Sequence, residues 1–157
     1  MTHDEIEILY VEDNAADVEL TMVALSHSRI ANRVQVARDG AEALDFLFCQ
    51  GSRAGRAFHP PKLVLLDMKL PKVDGLEVLQ AIRKDPRTSM IPVVVLTSST
   101  EQKDMLESYR LHVNSYIQKP VDFDTFQQVV QQLGLYWLVV NQTPLPGSLP
   151  ARQASGS

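Results

Sequence analysis

The stretch Leu63-Val64-Leu65-Leu66-Asp67 decides the fold of this chain. Four consecutive apolar residues are typical of a strand that is buried on both faces of a parallel sheet. Asp67 follows at the point where this strand should leave the sheet, and the Asp74-Gly75 pair marks a loop before the next helix. In open α/β sheets, binding crevices form at the carboxyl ends of the strands. Asp67 is therefore a candidate site residue, and a solvated Asp that merely closes a strand is the alternative.

The composition of the chain is that of an ordinary globular domain. Its 157 residues are 45% hydrophobic and 22% charged, which suits one domain with a substantial core. The formal net charge of -4 gives no electrostatic reason to expect a nucleic-acid partner. The acidic start lacks the regions of a signal peptide, and no apolar run approaches the ~18 residues of a membrane-spanning helix. We therefore expect a cytoplasmic protein that binds neither nucleic acid nor membrane.

Strand and helix patterns alternate five times along the chain. Strands are predicted at 6–11, 33–37, 63–67, 91–96 and 115–117. Helices are predicted at 15–27, 41–50, 76–84, 101–111 and 122–140. In the first helix, the apolar residues that recur at helical spacing are Ala16, Leu20, Val23 and Ala24. The alternation predicts an α/β domain with a parallel sheet, and right-handed crossovers bring the carboxyl ends of the strands to one edge.

Polar side chains follow the predicted strands at this edge. They are Glu12 and Asp13 after the first strand, Asp67 at the end of the third, Thr97 after the fourth and Lys119 after the fifth. In a flavodoxin-like sheet of order 2-1-3-4-5, with helices on both faces, the first and third strands are neighbours and the three carboxylates converge. Unpaired carboxylates repel one another, and a hard divalent cation removes that conflict. A site with few carboxylate ligands suits Mg²⁺.

The same residues suit phosphoryl chemistry. An aspartate carboxylate such as that of Asp67 can be phosphorylated directly. Lys119 and Mg²⁺ would neutralise charge on the phosphoryl oxygens, and the Thr97 hydroxyl could donate a hydrogen bond to one of them. Taken singly, Thr97 could be only a helix cap and Lys119 only a surface charge. Their combination with the three carboxylates at one edge of the sheet favours a shared site.

The chain contains, in order, Val11-Glu12-Asp13-Asn14, Leu65-Leu66-Asp67-Met68-Lys69-Leu70-Pro71, Asp74-Gly75, Val95-Leu96-Thr97 and Tyr116-Ile117-Gln118-Lys119-Pro120. Together these segments resemble the receiver domain of two-component response regulators, over residues 5–135. The resemblance implies a switch protein, not an enzyme, that accepts a phosphoryl group from a histidine kinase onto Asp67.

The resemblance also implies a role for each of the neighbouring site residues. Mg²⁺ would be bound by Asp13, Asp67 and the backbone carbonyl of Lys69, with Glu12 acting through a water molecule. Thr97 and Lys119 would hold the phosphoryl group, Tyr116 would be the aromatic switch residue, and the Lys119–Pro120 peptide bond would be cis. Glu12 departs from the family pattern, in which an Asp is more usual, and the departure lengthens the arm that reaches the metal.

Two further segments carry a narrower likeness. They are similar to segments of the small response regulators that serve bacterial and cyanobacterial phytochrome histidine kinases. The segments are Leu111-His112-Val113-Asn114-Ser115-Tyr116 and Tyr136-Trp137-Leu138. This likeness implies a phytochrome-type kinase as the partner. Nothing in the chemistry of the residues themselves encodes a response to light.

The C-terminal part of the chain is more apolar than the end of one helix requires. The repeat of apolar residues continues past Gly134 to Val140, and there the predicted helix is apolar nearly all round. We expect residues 136–143 to extend the last helix and to form a homodimer contact through Tyr136, Trp137 and Leu138. Residues 144–157, which are rich in Pro, Gly and Ser, are expected to form a flexible tail.

Two other functions compete with the switch. A phosphohydrolase could use Asp67 as its nucleophile, but such enzymes normally carry a second Asp two residues on, where this chain has Lys69. A flavin carrier of flavodoxin type would need a first loop with glycines that hold a phosphate, and Glu12-Asp13-Asn14 contains none. The sequence therefore favours the switch.

Overall fold

The computed structural model describes residues 6–26, 33–68, 74–98, 103, 105–107 and 109–135. The strands are β1 (Ile8–Val11), β2 (Val34–Ala37), β3 (Leu63–Asp67), β4 (Val93–Thr97) and β5 (Ser115–Gln118). The helices with bounds are α1 (Ala15–Leu25), α2 (Gly40–Phe48), α3 (Gly75–Lys84) and α4 (Phe123–Gln132). Of the helix predicted at 101–111, the structure describes helical residues at 103 and 105–107. None of the helices in these described ranges is long and apolar enough to cross a bilayer.

The five strands form one parallel sheet in the order β2-β1-β3-β4-β5. This order confirms the predicted flavodoxin-like fold. The register places Val11 of β1 beside Leu66 of β3, so that the residue after β1 stands level with Asp67. On the other side, Asp67 pairs with Leu96, one residue before Thr97. The polar residues at the strand ends therefore meet at one edge because of the register alone.

The central strand β3 is buried along its whole length. Leu63 and Leu65 pack into the hydrophobic cluster on one face of the sheet, and Val64 and Leu66 pack into the cluster on the other face. Because successive side chains of a strand point to opposite faces, a strand with a cluster on each side must be apolar throughout. The predicted double burial of this stretch is confirmed.

The sequence pattern predicted α1, but of the four apolar residues named in it only Ala24 is buried. Leu20 and Val23 are 55% and 60% exposed, whereas Thr21 is buried. Thr21 faces the core together with Val18 and Leu25, and its hydroxyl oxygen accepts a hydrogen bond of 3.0 Å from the hydroxyl of Tyr10, which is fully buried in β1. A buried tyrosine hydroxyl needs such a partner, so the polar residue faces inward and two larger apolar residues face outward.

The prediction that the last helix runs unbroken to about Val140 is wrong. Helix α4 ends at Gln132, and Gly134 adopts a left-handed conformation with φ of 76°. The backbone N–H of Leu135 then donates a hydrogen bond of 2.7 Å to the carbonyl of Val130, which is the closing bond of a Schellman motif. The side chain of Leu135 packs against the core, so the chain turns back at this point.

Several predictions fall outside the described residues. They concern the Lys69 carbonyl, the tail at 144–157 and the dimer contact within residues 136–143 through Tyr136, Trp137 and Leu138. These remain predictions from sequence.

Helix α3 begins close against the end of β3. The Asp74 side chain accepts a hydrogen bond of 3.0 Å from the Glu77 N–H, and the Glu77 side chain accepts one of 3.4 Å from the Asp74 N–H. These reciprocal bonds cap the helix. A Cβ atom on Gly75 would lie 2.7 Å from the carbonyl oxygen of Asp67 and 2.7 Å from Cα of Met68. Glycine therefore lets α3 support the strand end that carries Asp67.

We expect Gly75→Ala to lower the free energy of unfolding by about 1–3 kcal/mol, because α3 or the end of β3 must move to admit the methyl group. Gly55→Ala is the matched control, since no atom lies within 4 Å of a Cβ built there. Its effect should stay within about 0.5 kcal/mol. Urea unfolding of both variants measures the difference, and equal midpoints would show that the close approach is unimportant.

Candidate functional site

The carboxyl edge of the sheet brings the predicted polar residues together. Glu12, Asp13 and Asp67 each offer a carboxylate oxygen, and these oxygens lie within 4.8 Å of one another. Glu12 and Asp67 are buried, with 1% and 5% of their surfaces exposed, and Asp13 is exposed. The prediction that three carboxylates converge is thus matched by the geometry.

Lys119 reaches this cluster from the loop that follows β5. Its Nζ atom lies 3.0 Å from Oε1 of Glu12 and 3.3 Å from Oδ2 of Asp67. The backbone N–H of Lys119 donates a hydrogen bond of 2.9 Å to the carbonyl of Thr97, which ties the loop to the end of β4. The Lys119–Pro120 peptide bond is cis, as the resemblance implied. The lysine is therefore fixed at both its backbone and its side chain.

The charges of the site are strongly interdependent. Burial, together with the neighbouring Asp67 carboxylate, raises the pKa of Glu12 to about 7, although Lys119 acts in the opposite direction. Burial alone would lower the pKa of Lys119, but the Glu12 and Asp67 carboxylates raise it above its usual range. The site thus holds a charged ammonium beside a buried carboxyl group that takes up a proton more readily than a free glutamate does.

The residues present fit a hard divalent cation. The donor set consists of carboxylate oxygens, which is the chemistry that Mg²⁺ and Mn²⁺ favour. Oε1 of Glu12 is buried and lies 3.0 Å from the Lys119 ammonium, so a metal ion or a water molecule bound to it would share this oxygen with Lys119.

Thr97 and Tyr116 lie on neighbouring strands beside the cluster. Thr97 is the last residue of β4 and is buried, and it pairs in register with the residue before Lys119. Tyr116 lies on β5, half-buried, with Nζ of Lys103 5.2 Å from the centre of its ring. Burial and the charge of Glu107 raise the pKa of its hydroxyl. Both residues therefore lie on the two strands, β4 and β5, that are adjacent to the loop of Lys119.

Sequence reasoning missed one contact of the site. Asp17, in the first turn of α1, accepts a hydrogen bond of 3.2 Å from Nζ of Lys119. Asp17 lies three positions after Asn14, the N-cap of α1, whose side-chain oxygen accepts a hydrogen bond from the Asp17 N–H. That spacing is itself a signal, because the side chains of the first helical turn after β1 lie close to the same edge of the sheet.

Two curated relatives align with most of the chain. The probable methanogenesis regulatory protein FilR2 of Methanothrix harundinacea is 44% identical over 143 residues, which are 91% of this chain and 90% of the relative. Response regulator Rcp1 of Synechocystis is 42% identical over 131 residues, which are 83% of this chain and 88% of the relative. The resemblance seen in the motifs therefore extends along the sequence.

Solved structures agree with these relatives. The bacteriophytochrome response regulator AtBRR is 51% identical, with a TM-score of 0.79, and the match covers 88% of this chain and 99% of that one. The Mn²⁺-bound form of Rcp1 is 41% identical, with a TM-score of 0.67 and coverage of 87% and 97%. A sequence model of the response regulator receiver domain matches residues 8–131. The chain therefore belongs to the family of response regulator receiver domains, which accept a phosphoryl group in two-component signalling.

Proposed function

We propose that Asp67 is the phosphoacceptor of this receiver and that Thr97 and Lys119 hold the phosphoryl group. The observation that carries the proposal is the position of the Asp67 carboxylate, between the acidic residues after β1 and the Lys119 ammonium 3.3 Å away. An oxygen of Asp67 would form a bond to phosphorus while the phosphorus–nitrogen bond to the kinase histidine breaks. The imidazole then leaves and takes up a proton, so charge and atoms balance.

The cation of the site is, in our proposal, Mg²⁺ bound by Asp13 and Asp67, with Glu12 acting through a water and the Lys69 carbonyl as a further ligand. When bound, it would neutralise negative charge on the phosphoryl oxygens. The buried oxygen of Glu12 and the all-oxygen donor set support this assignment. The Mn²⁺-bound form of Rcp1 supports a divalent cation without distinguishing between the two metals.

The partner is a sensor histidine kinase, and we propose a kinase of phytochrome type in the cytoplasm. The printed name of one similar solved structure, the bacteriophytochrome response regulator AtBRR, supports this kinase class. FilR2 is described as a regulator of methanogenesis, so the same kind of chain also serves other signals. The phosphoryl group would act by favouring one arrangement of Thr97 and Tyr116 over another.

The chain acts as a switch and not as a phosphohydrolase in this proposal. A hydrolase with Asp67 as nucleophile needs an acid for the leaving group, and the residue two positions on is Lys69. Lysine in its charged form can donate a proton, but its ordinary pKa is far above the range that suits a general acid at neutral pH. The expected outcome of phosphorylation is therefore a modified state with at most slow self-dephosphorylation.

Incubation of the protein with Mg²⁺ and acetyl phosphate tests the assignment of Asp67. The wild-type protein should gain one phosphoryl group by intact mass, and Asp67→Asn should not, because an amide oxygen is too weak a nucleophile. Asp124→Asn, which removes a carboxylate from an exposed position on α4, should behave like the wild type. Undiminished phosphorylation of Asp67→Asn, or repeated turnover of phosphomonoesters by the wild type, would contradict the proposal.

The pH dependence of stability tests the electrostatics of the pair Glu12 and Asp67 in EDTA. Because the folded-state pKa of Glu12 is raised from 4.5 to about 7, its contribution favours folding at low pH and is lost as the pH rises between these values. The wild-type protein should therefore lose free energy of unfolding between pH 5 and pH 8. We expect this loss to be smaller in Glu12→Gln, by up to about 3 kcal/mol. Glu19→Gln, on the exposed side of α1, is the control, and parallel profiles for all three proteins would show that Glu12 is not perturbed.

We propose further that residues 136–143 form a homodimer contact beyond the receiver at 5–135, with Tyr136, Trp137 and Leu138 at its centre. The apolar character of this segment supports the proposal, because a large apolar surface is normally covered by a partner. A self-associated receiver would match a kinase that is itself a dimer.

Light scattering with and without Mg²⁺ and beryllofluoride measures the oligomeric state. We expect a mass of twice 17.5 kDa, and we expect Trp137→Ser to lower it toward the monomer because it removes the largest apolar side chain of the segment. Met90→Ser, which alters an 88% exposed apolar residue elsewhere on the surface, is the control. A wild-type protein that stays monomeric under both conditions would contradict the contact.

A further inference from the structure

Asp17 is the one carboxylate around Lys119 to which the proposed function assigns no role. Its Oδ2 atom accepts a hydrogen bond of 3.2 Å from Nζ of Lys119, across 102 positions of sequence. The backbone of Asp17 is held on two sides, because its N–H donates 2.9 Å to the side chain of Asn14 and its carbonyl accepts 3.4 Å from the hydroxyl of Tyr10. The carboxylate is thus presented to Lys119 from a fixed point of α1.

A lysine ammonium has three N–H donors, and three carboxylates surround this one. Asp67 is the acceptor of the phosphoryl group in the proposed function, and Glu12 serves the metal ion. Both of these carboxylates therefore change partners when the site is loaded. Among the interactions that the structure describes, the Asp17 carboxylate is paired only with Lys119. We therefore expect this ion pair to persist when the metal ion and the phosphoryl group are bound.

We propose that Asp17 is a positioning residue that competes with the incoming phosphoryl group for the ammonium of Lys119 and thereby slows phosphorylation. The inference rests on the proposed function, in which Lys119 holds the phosphoryl oxygens. The negative charge of Asp17 weakens the attraction between the Lys119 ammonium and the phosphoryl oxygens. The Asp17 carboxylate also holds the ammonium toward α1. The Asp17 side chain is 36% exposed, so the effect is moderated by solvent.

A purely structural role for Asp17 predicts the opposite result. An acidic residue in the first turn stabilises a helix, and its loss would loosen α1 and the site beside it. The cap of α1 uses the backbone N–H of Asp17, which remains after substitution by Asn. Asp17→Asn should therefore fold, and the direction of the change in rate separates the two roles.

The experiment measures the second-order rate constant for phosphorylation by acetyl phosphate at saturating Mg²⁺, by intact mass, for the wild type, Asp17→Asn and Glu19→Gln. An oxygen of Asp67 bonds to phosphorus, the bond from phosphorus to the acetate oxygen breaks, and acetate leaves. We expect Asp17→Asn to react about two- to fivefold faster than the wild type, the factor that a partly exposed ion pair would give. Glu19→Gln removes the same charge from an exposed position of the same helix and should change the rate by a smaller factor.

A second comparison tests whether Asp17 acts through Lys119. Adding Asp17→Asn to Lys119→Gln should give no acceleration beyond that of Glu19→Gln, because the group for which Asp17 competes is absent. Three results would overturn the inference: a slower Asp17→Asn, a rate no higher than that of Glu19→Gln, or an undiminished gain in the Lys119→Gln background. If Asp67→Asn abolishes phosphorylation while Asp17→Asn brings no gain, this inference alone fails. If Asp67→Asn is still phosphorylated, the proposed function fails first.

Discussion

The ammonium group of Lys119 holds together three parts of the structure at the carboxyl edge of the sheet. Its nitrogen lies within 3.3 Å of carboxylate oxygens from α1, from β3 and from the loop after β1. Two of these carboxylates, Glu12 and Asp67, are almost fully buried, and a buried charge without a partner is costly. Lys119 therefore allows Glu12 and Asp67 to remain buried at this edge of the sheet. The same two carboxylates, with Asp13, are the oxygen donors that could hold a cation.

The same contact gives a physical basis for switching in the proposed function. A divalent cation at the acidic residues would reduce the hold of Glu12 on Lys119, and a phosphoryl group on Asp67 would add negative charge beside it. Both events redistribute the bonds of one ammonium group. Because the backbone N–H of Lys119 is bonded to the carbonyl of Thr97, a change at its side chain acts on a loop already tied to β4. A local change of charge can thereby bias the arrangement of the neighbouring strands.

The sequence contained most of the fold and of the site because both depend on strong local patterns. A run of apolar residues that must be buried on both faces predicted β3, and the parallel register then placed Glu12 level with Asp67. The contact between Asp17 and Lys119 could not be predicted in this way, because the rotation of α1 about its axis is set by packing. In this packing Val18 and Leu25 join the core, and the polar Thr21 faces inward with them because it accepts the hydrogen bond of the buried Tyr10 hydroxyl.

The end of α4 shows which of two conflicting local signals prevails. Apolar residues continue at helical spacing past Gly134, and this spacing predicted a longer helix. A glycine with positive φ lets the last carbonyl groups be satisfied by a Schellman bond, and the Leu135 side chain then gains burial against the core by turning back. The helical spacing of apolar residues continues past Gly134 only because every residue from Leu135 to Val140 is apolar. The dimer contact proposed at Tyr136, Trp137 and Leu138 therefore rests on the apolar composition of this segment and not on the helical register of α4.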